Sequence, residues 1–267
     1  MDIHQVIAQN VREFRNRRGV SQERLAEVIG VDRTFISKIE RGERNTTAET
    51  LARIAKGLGT VPHVLLVPEY FASRVGQMEL DLSSLAESVD ANPSLMSFVF
   101  GYHAEYMARR EISRQLGVSV DSMTKPDDHD RTQHGDIILP YKGRIYSIEV
   151  KCLQGNSVKK ISENDEWFGR YQCDGSDATD VTIPDGRTIH TVALQRGLFD
   201  IVAVGLFAFG DMWRFAFIKE EDLESLDASR GRRKDMPDDA RRYFIKTTQD
   251  INWPLLPPYT THIFDLL

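Results

Sequence analysis

The sequence predicts two domains of different class. The first is an all-α N-terminal domain; the second is a larger α+β or α/β domain whose mixed β-sheet is flanked by helices. Three observations carry this. Residues 1–60 hold eleven Lys/Arg and eight Asp/Glu, a net of +3, while the whole chain carries −6, which leaves −9 to the remainder. Glycines punctuate helix-length segments through the first quarter. Beyond residue 135 the apolar residues switch from helical spacing to alternation. The divisions expected are 1–68 for the first domain, 69–92 for a connector bounded near Pro68 and Pro93, and 93–267 for the second domain.

At 267 residues with ordinary apolar and charged fractions, the chain can bury one large core or two modest ones, which excludes disorder as its dominant state. No basic-then-apolar leader opens it. The longest apolar stretch, 198–209, is too short to span a bilayer and is interrupted by Asp200, so it reads as a buried strand of a cytoplasmic protein with no membrane partner. Cys152 and Cys173 lack metal-ligand spacing and are expected as free thiols in a reducing compartment.

In the first domain, Ile3, Ile7, Val11 and Phe14 recur at helical spacing and Gly19 ends the segment. Ser21 caps the next segment, which stops at Gly30; Asp32 caps a third, which stops at Gly42. A fourth opens with Thr46 and Glu49 at the spacing of a capping box. Two short helices joined by a tight turn form a helix-turn-helix, whose second helix fits the major groove of duplex DNA. Phe35, Ile36 and Ile39 supply its apolar face, which leaves Arg33, Thr34, Ser37, Lys38 and Arg41 for base edges and nearby phosphates. Gln22 at a helix start, with Arg44 and Asn45 just past the second helix, can bind backbone phosphate.

The run from Val11 to Leu58 resembles the Cro and phage-repressor family of helix-turn-helix domains, close to restriction-modification controller proteins. That resemblance covers the first quarter of the chain and implies double-stranded DNA as partner.

After Pro93 a helix is predicted to run to Gly117, with a buried stripe of Phe98, Tyr102, Ala108, Ile112 and Leu116. Glu105 lies inside that stripe. A buried carboxylate needs a partner, either a cation or an arginine such as Arg109 four residues on, or else an opening to solvent.

The segment GDIILPYKGRIYSIEVKCL, 135–153, reads as a β-hairpin with Lys142-Gly143 as its two-residue loop. Counting outward places Asp136 opposite Glu149 at a non-hydrogen-bonded pair, and Pro140 at another, where its missing N–H is not needed. Ile137, Leu139, Tyr146, Ile148, Val150 and Cys152 share the core face; Asp136, Glu149 and Lys151 share the other. Opposed carboxylates repel unless a positive charge lies between them. A divalent cation answers that need, and an oxygen-only donor set favours Mg²⁺, with Mn²⁺ as substitute. The site suits phosphodiester hydrolysis, with Lys151 orienting water or stabilising charge.

Asp, twelve residues, then Glu-x-Lys resembles the restriction-endonuclease-like fold written PD-(D/E)xK, although His134-Gly135 stands where the motif name puts proline. The resemblance spans roughly 95–220 and implies Asp136, Glu149, Lys151 and Glu105 as catalytic residues, with Asp136, Glu149 and Glu105 as metal ligands. Glu105 enters through GYHAE, similar to the helix carboxylate such nucleases place before the hairpin.

The chain is thus expected to be a Mg²⁺-dependent, sequence-specific restriction or defence endonuclease, a homodimer on roughly palindromic DNA. The alternative is a transcriptional regulator whose second domain keeps the nuclease fold for dimerisation or sensing. Further along, two strands flank a turn at Gly210-Asp211. Gln195, Arg196 and the stretch 173–177 read as structural or as DNA contacts, the acidic run 127–130 as a solvated loop, and His103, His129 and His134 carry no assigned role.

Overall fold

The computed structural model describes residues 2–126, 134–226 and 236–267. The chain divides into two compact units, Met1–Met96 and Ser97–Leu267.

In the first unit, α1 (Ile3–Arg17), α2 (Gln22–Ile29), α3 (Arg33–Glu40) and α4 (Ala48–Gly57) follow the expected punctuation. Ser21 accepts from the Arg24 N–H and Asp32 from the Phe35 N–H, while Gly30 closes α2 in the left-handed conformation at φ 69°. The cap of α4 falls one residue later than expected: Thr47, not Thr46, accepts from the Thr50 N–H. Both neighbours carry the same hydroxyl, and the backbone settles which is extended.

Ile7, Val11, Phe14, Leu25, Ile36, Ile39 and Ile54 form the core, whereas Ile3, the first residue of α1, is exposed. Buried Asn10 donates to the Val64, Leu65 and Val67 carbonyls, satisfying the end of a 3-10 turn. Past residue 68, Tyr70 enters the same core against Phe14 and donates its hydroxyl to Leu80 O at 2.9 Å. Helices α5 (Arg74–Gln77) and α6 (Leu82–Ala91) follow.

Helix α7 (Pro93–Leu116) opens in the first unit and continues into the second. Its buried stripe is Ala104, Ala108 and Ile112; Ala108 and Ile112 fall there as expected and Leu116 packs alongside, whereas the expected Phe98 and Tyr102 are exposed. The i, i+4 alanines let the helix lie close on the sheet; the bulkier aromatics stand on a different face.

Strand β2 (Arg144–Ser162) organises the second unit. It pairs antiparallel with β1 (Ile137–Tyr141) and β3 (Glu166–Gln172), and parallel with β6 (Ile201–Gly205). β7 (Phe215–Lys219) extends the sheet beside β6 and β8 (Thr248–Trp253) beside β3, so the order is β7-β6-β2-β3-β8 with β1 against β2. β4 (Asp174–Thr182) and β5 (Thr188–Ala193) form a separate ribbon. One sheet face packs Ile137, Ile148, Ala203 and Phe217 against α7; the other packs Leu153, Val202, Val204 and Ile218 against Tyr171, Ile245 and Ile251. Among the described residues α7 is the only α-helix of this unit, so the sheet carries one such helix and several 3-10 turns rather than helices all round.

Candidate DNA interface and carboxylate site

Helix α3 is pinned from below by Ile36 and Ile39, which orients the rest of its surface outward. Arg33, Thr34, Lys38 and Arg41 are exposed and Ser37 is half-buried, as are the side chains expected at a groove; Asn45 is exposed in the following turn. Four of them are held. Arg33 pairs with Glu23 at 2.8 Å, Arg41 with Glu43 at 2.7 Å, Thr34 donates to Asp32, and the Arg41 guanidinium donates to the Ser37 hydroxyl. Phe35 is half-buried, and the Arg44 guanidinium lies 4.3 Å over its ring.

Gln22 is tied to a residue the sequence reading passed over. Its amide donates to Glu40 Oε2 at 2.8 Å, and Arg15 grips the same carboxylate through Nε at 2.6 Å and Nη2 at 3.0 Å. The Glu40 side chain is 2% exposed, and Arg12 donates to its backbone carbonyl. The signal existed: Glu40 stands four residues after Ile36, on the buried stripe, where only a paired carboxylate is tolerated.

In the second unit the hairpin forms as counted. Lys142 and Gly143 take φ 47° and 81°, as a type I′ turn requires, and the register runs from Tyr141↔Arg144 to Ile137↔Ile148. Asp136 lies outside the paired register and is not the non-hydrogen-bonded partner of Glu149 that the count placed there. Its N–H donates to Ile148 O at 2.8 Å, and its Oδ2 accepts from the Val150 N–H at 2.7 Å, which folds the carboxylate over β2 beside Glu149.

Lys151 Nζ lies 2.8 Å from Glu149 Oε1 and donates to Asp174 O at 3.1 Å. Burial, then repulsion from Glu149 and Glu105, pushes the Asp136 carboxyl up to about 7, against the opposing pull of the Val150 N–H and Lys151. Burial works against the Lys151 ammonium, yet Glu149 outweighs it and holds that group above its ordinary value. Burial raises Cys152 and Cys173 to about 12, so both flank the cluster as neutral thiols.

Glu105 is paired with Lys125 at 2.6 Å, not with Arg109, and Lys125 also sits 4.2 Å over the Tyr102 ring. A partner twenty residues away could not be counted along the helix. Asp136 and Glu149 are brought together; Glu105 joins them through its field on Asp136. Among the described residues no three His, Cys, Asp or Glu side chains converge closely enough to enclose an ion. Asp136 and Glu149 nonetheless fit a hard divalent cation: both are oxygen donors, they repel, and the deficit of positive charge falls on Asp136.

Arg196 pairs with Glu220 at 3.1 Å and Gln195 bridges to Phe244, so both are structural. The stretch 173–177 begins β4 rather than a turn or loop. His103 packs edge-on against Trp213, and the His134 carbonyl accepts from Ser147. His129 and the acidic run 127–130 lie outside the described residues.

A family model described as Helix-turn-helix matches residues 11–66. Control protein C.SmaI of Serratia marcescens is 52% identical over 66 residues, 24% of this chain and 79% of that protein. Control protein C.BamHI of Bacillus amyloliquefaciens is 41% identical over 66 residues, 24% of this chain and 82% of that protein. Among solved structures, the restriction-modification controller C.Esp1396I tetramer in complex with its natural 35 base-pair operator matches at 35% identity and TM-score 0.23, covering 24% of this chain and 86% of that one. These three alignments cover about a quarter of the chain. No helix among the described residues is long and apolar enough to cross a membrane.

Proposed function

We propose that this chain, which belongs through residues 11–66 to the Helix-turn-helix family, reads duplex DNA with α3 and hydrolyses its phosphodiester bonds at the β1–β2 hairpin, as a restriction or related defence endonuclease. One observation carries the catalytic half: Asp136, Glu149 and Lys151 stand together on a hairpin whose other face is core. Asp136 and Glu149 would hold Mg²⁺, or Mn²⁺ in its place, with Glu105 joining once released from Lys125. The ion supplies neutralisation of phosphate charge and a more acidic bound water. Lys151 keeps its proton and presents an ammonium beside the carboxylates, where negative charge develops on the phosphate. Burial keeps both thiols protonated, so they do not compete as ligands.

DNA recognition follows from the exposed set on α3, with Gln22, Arg44 and Asn45 at the backbone. A helix-turn-helix reads paired half-sites as a two-fold dimer, so the active form is a homodimer in the cytoplasm.

A second reading is favoured by the relatives, whose names are those of controllers and regulators: a transcriptional regulator in which Lys151 and Lys125 neutralise Glu149 and Glu105 without cutting. Incubation of the full chain with a randomised unmethylated duplex library and Mg²⁺ separates the two. Discrete ends from the wild type and none from Glu149→Ala support the nuclease; tight binding with uncut DNA under Mg²⁺ and Mn²⁺ supports the regulator.

A further inference from the structure

The edge of β2 that faces away from β6 is taken by β1 as far as Ile148 and by β3 from Leu153, with a bulge in β2 before Val158. Residues 149–152 lie in the fork between them. Asp136 enters that fork: its Oδ2 meets the Val150 N–H, which points along the sheet rather than out of it, so the carboxylate sits at the edge between the two faces. Glu149 stands on one face. Ile148 and Val150 share the other with Ala104 and Ala108 of α7, the helix that carries Glu105. The Glu105 charge bears on both Asp136 and Cys152, which puts it beside the fork from the α7 side.

The lysine that meets Glu105 has a fixed base and a free tip. Thr124 exchanges both backbone hydrogen bonds with Ile138, at 3.1 and 2.8 Å, and Met123 is buried in the same core, so the main chain leading to Lys125 is fastened along the outer edge of β1. The ammonium lies 4.2 Å over the exposed Tyr102 ring and reaches Glu105 Oε2 at 2.6 Å, with 27% of the lysine side chain accessible against 14% for the carboxylate. A lysine is a point charge on a flexible stem, and it can exchange one oxyanion for another without moving its backbone. Phosphate oxygen is the oxyanion that the proposed reaction brings to Asp136 and Glu149. An ammonium and a divalent ion compete for Glu105, because they repel each other and seek the same two oxygens. A phosphate that draws Lys125 off therefore leaves Glu105 to the ion, and an ion that takes Glu105 leaves Lys125 to the phosphate.

We infer that Lys125 is a phosphate-binding residue that positions Glu105: it holds the carboxylate out of the ion site until the DNA backbone takes the ammonium, so that duplex and divalent ion bind with positive coupling. This rests on the reading that the hairpin cluster holds a divalent ion and meets duplex DNA. A structural pair that only fastens residues 123–125 to α7 is the competing account, and it produces no such coupling.

The test is a pair of titrations of the full chain that need no cleavage. In the first, Mn²⁺ is added without DNA. Lys125→Met should bind it about tenfold more tightly than the wild type, with fewer inner-sphere waters by water-proton relaxation, and adding Glu105→Gln should cancel both changes. In the second, the randomised duplex is added in EDTA. Lys125→Met should lower the salt slope by about one, while Glu105→Gln, which relieves the ammonium of its carboxylate, should tighten binding about fivefold, a gain that vanishes in Lys125→Met/Glu105→Gln. The Glu105→Gln arm decides alone if Lys125→Met fails to fold. Unchanged Mn²⁺ hydration in Lys125→Met, or unchanged DNA binding in Glu105→Gln, overturns the inference, and a wild-type ion site that is lost in Asp136→Asn then still supports the carboxylate reading. Both shifts without cleavage in Mg²⁺ leave Lys125 standing as the coupling residue and remove only the nuclease reading.

Discussion

Both units take a carboxylate largely out of water, and they treat it in opposite ways. Glu40 in the first unit is met by Arg15 twice, by Gln22 once and by Arg12 at its carbonyl. Asp136 in the second receives one backbone N–H while two further carboxylates press on it. A buried charge whose partners are all present is scaffold: it fixes α1, α2 and α3 against one another and so aims the reading surface. A buried charge left short of positive partners among the described residues is what we propose as the site, where an ion or a proton would complete it.

That contrast can be broken most severely at Lys151. Replacing it by Met should lower Mg²⁺-dependent cleavage by about 10²–10³-fold, the scale of losing one preorganised charge stabiliser, with DNA affinity within twofold. Equal losses of binding and cleavage would place Lys151 in the interface instead. Next, Glu40→Ala leaves Arg15 facing a partly desolvated gap and should cost about 3 kcal/mol, read as an earlier urea midpoint for the first unit. An unchanged midpoint would show that the Arg15 pair is decorative.

Asp136→Asn should act with the opposite sign. A carboxyl whose folded value is raised to about 7 supplies stability that is complete below its unfolded value near 3.9 and drains away as pH climbs toward 7. Without divalent ions, the wild type should therefore lose about 3 kcal/mol between pH 4 and 7 relative to Asp136→Asn. Parallel stability curves for the two proteins would refute the deficit. The smallest effect is on α3: Arg33→Ala and Arg41→Ala should each weaken DNA binding about five- to tenfold and lower the salt slope by about one. Retained slope would mean that Glu23 and Glu43 hold these arginines out of the complex.

Much of this was legible where the determinant is local. Ser21, Gly30 and Asp32 mark their helix ends through their own side chains or lack of one, and Lys142-Gly143 fixes the register from Tyr141↔Arg144 to Ile137↔Ile148, from which the bonds of Asp136 to Ile148 and Val150 bring it beside Glu149. What escaped depends on packing between distant segments. The stripe on α7 kept Ala108, Ile112 and Leu116 but lost its aromatics Phe98 and Tyr102 and gained Ala104, because the sheet chooses which helix face it meets. Lys125 claimed Glu105 from twenty residues away. The bulge in β2 leaves no signature in alternation, since it is an interruption of it. Glu40 was within reach, for its position on the buried stripe is written in the spacing from Ile36.

The shortage of positive charge at Asp136 is tested most directly by calorimetric titration of Mn²⁺ into the full-length protein at pH 7 without DNA. The account predicts one site whose binding releases a proton from Asp136 and which vanishes in both Asp136→Asn and Glu149→Ala. Binding that persists unchanged in both variants, or no heat attributable to a site in the wild type, would contradict it.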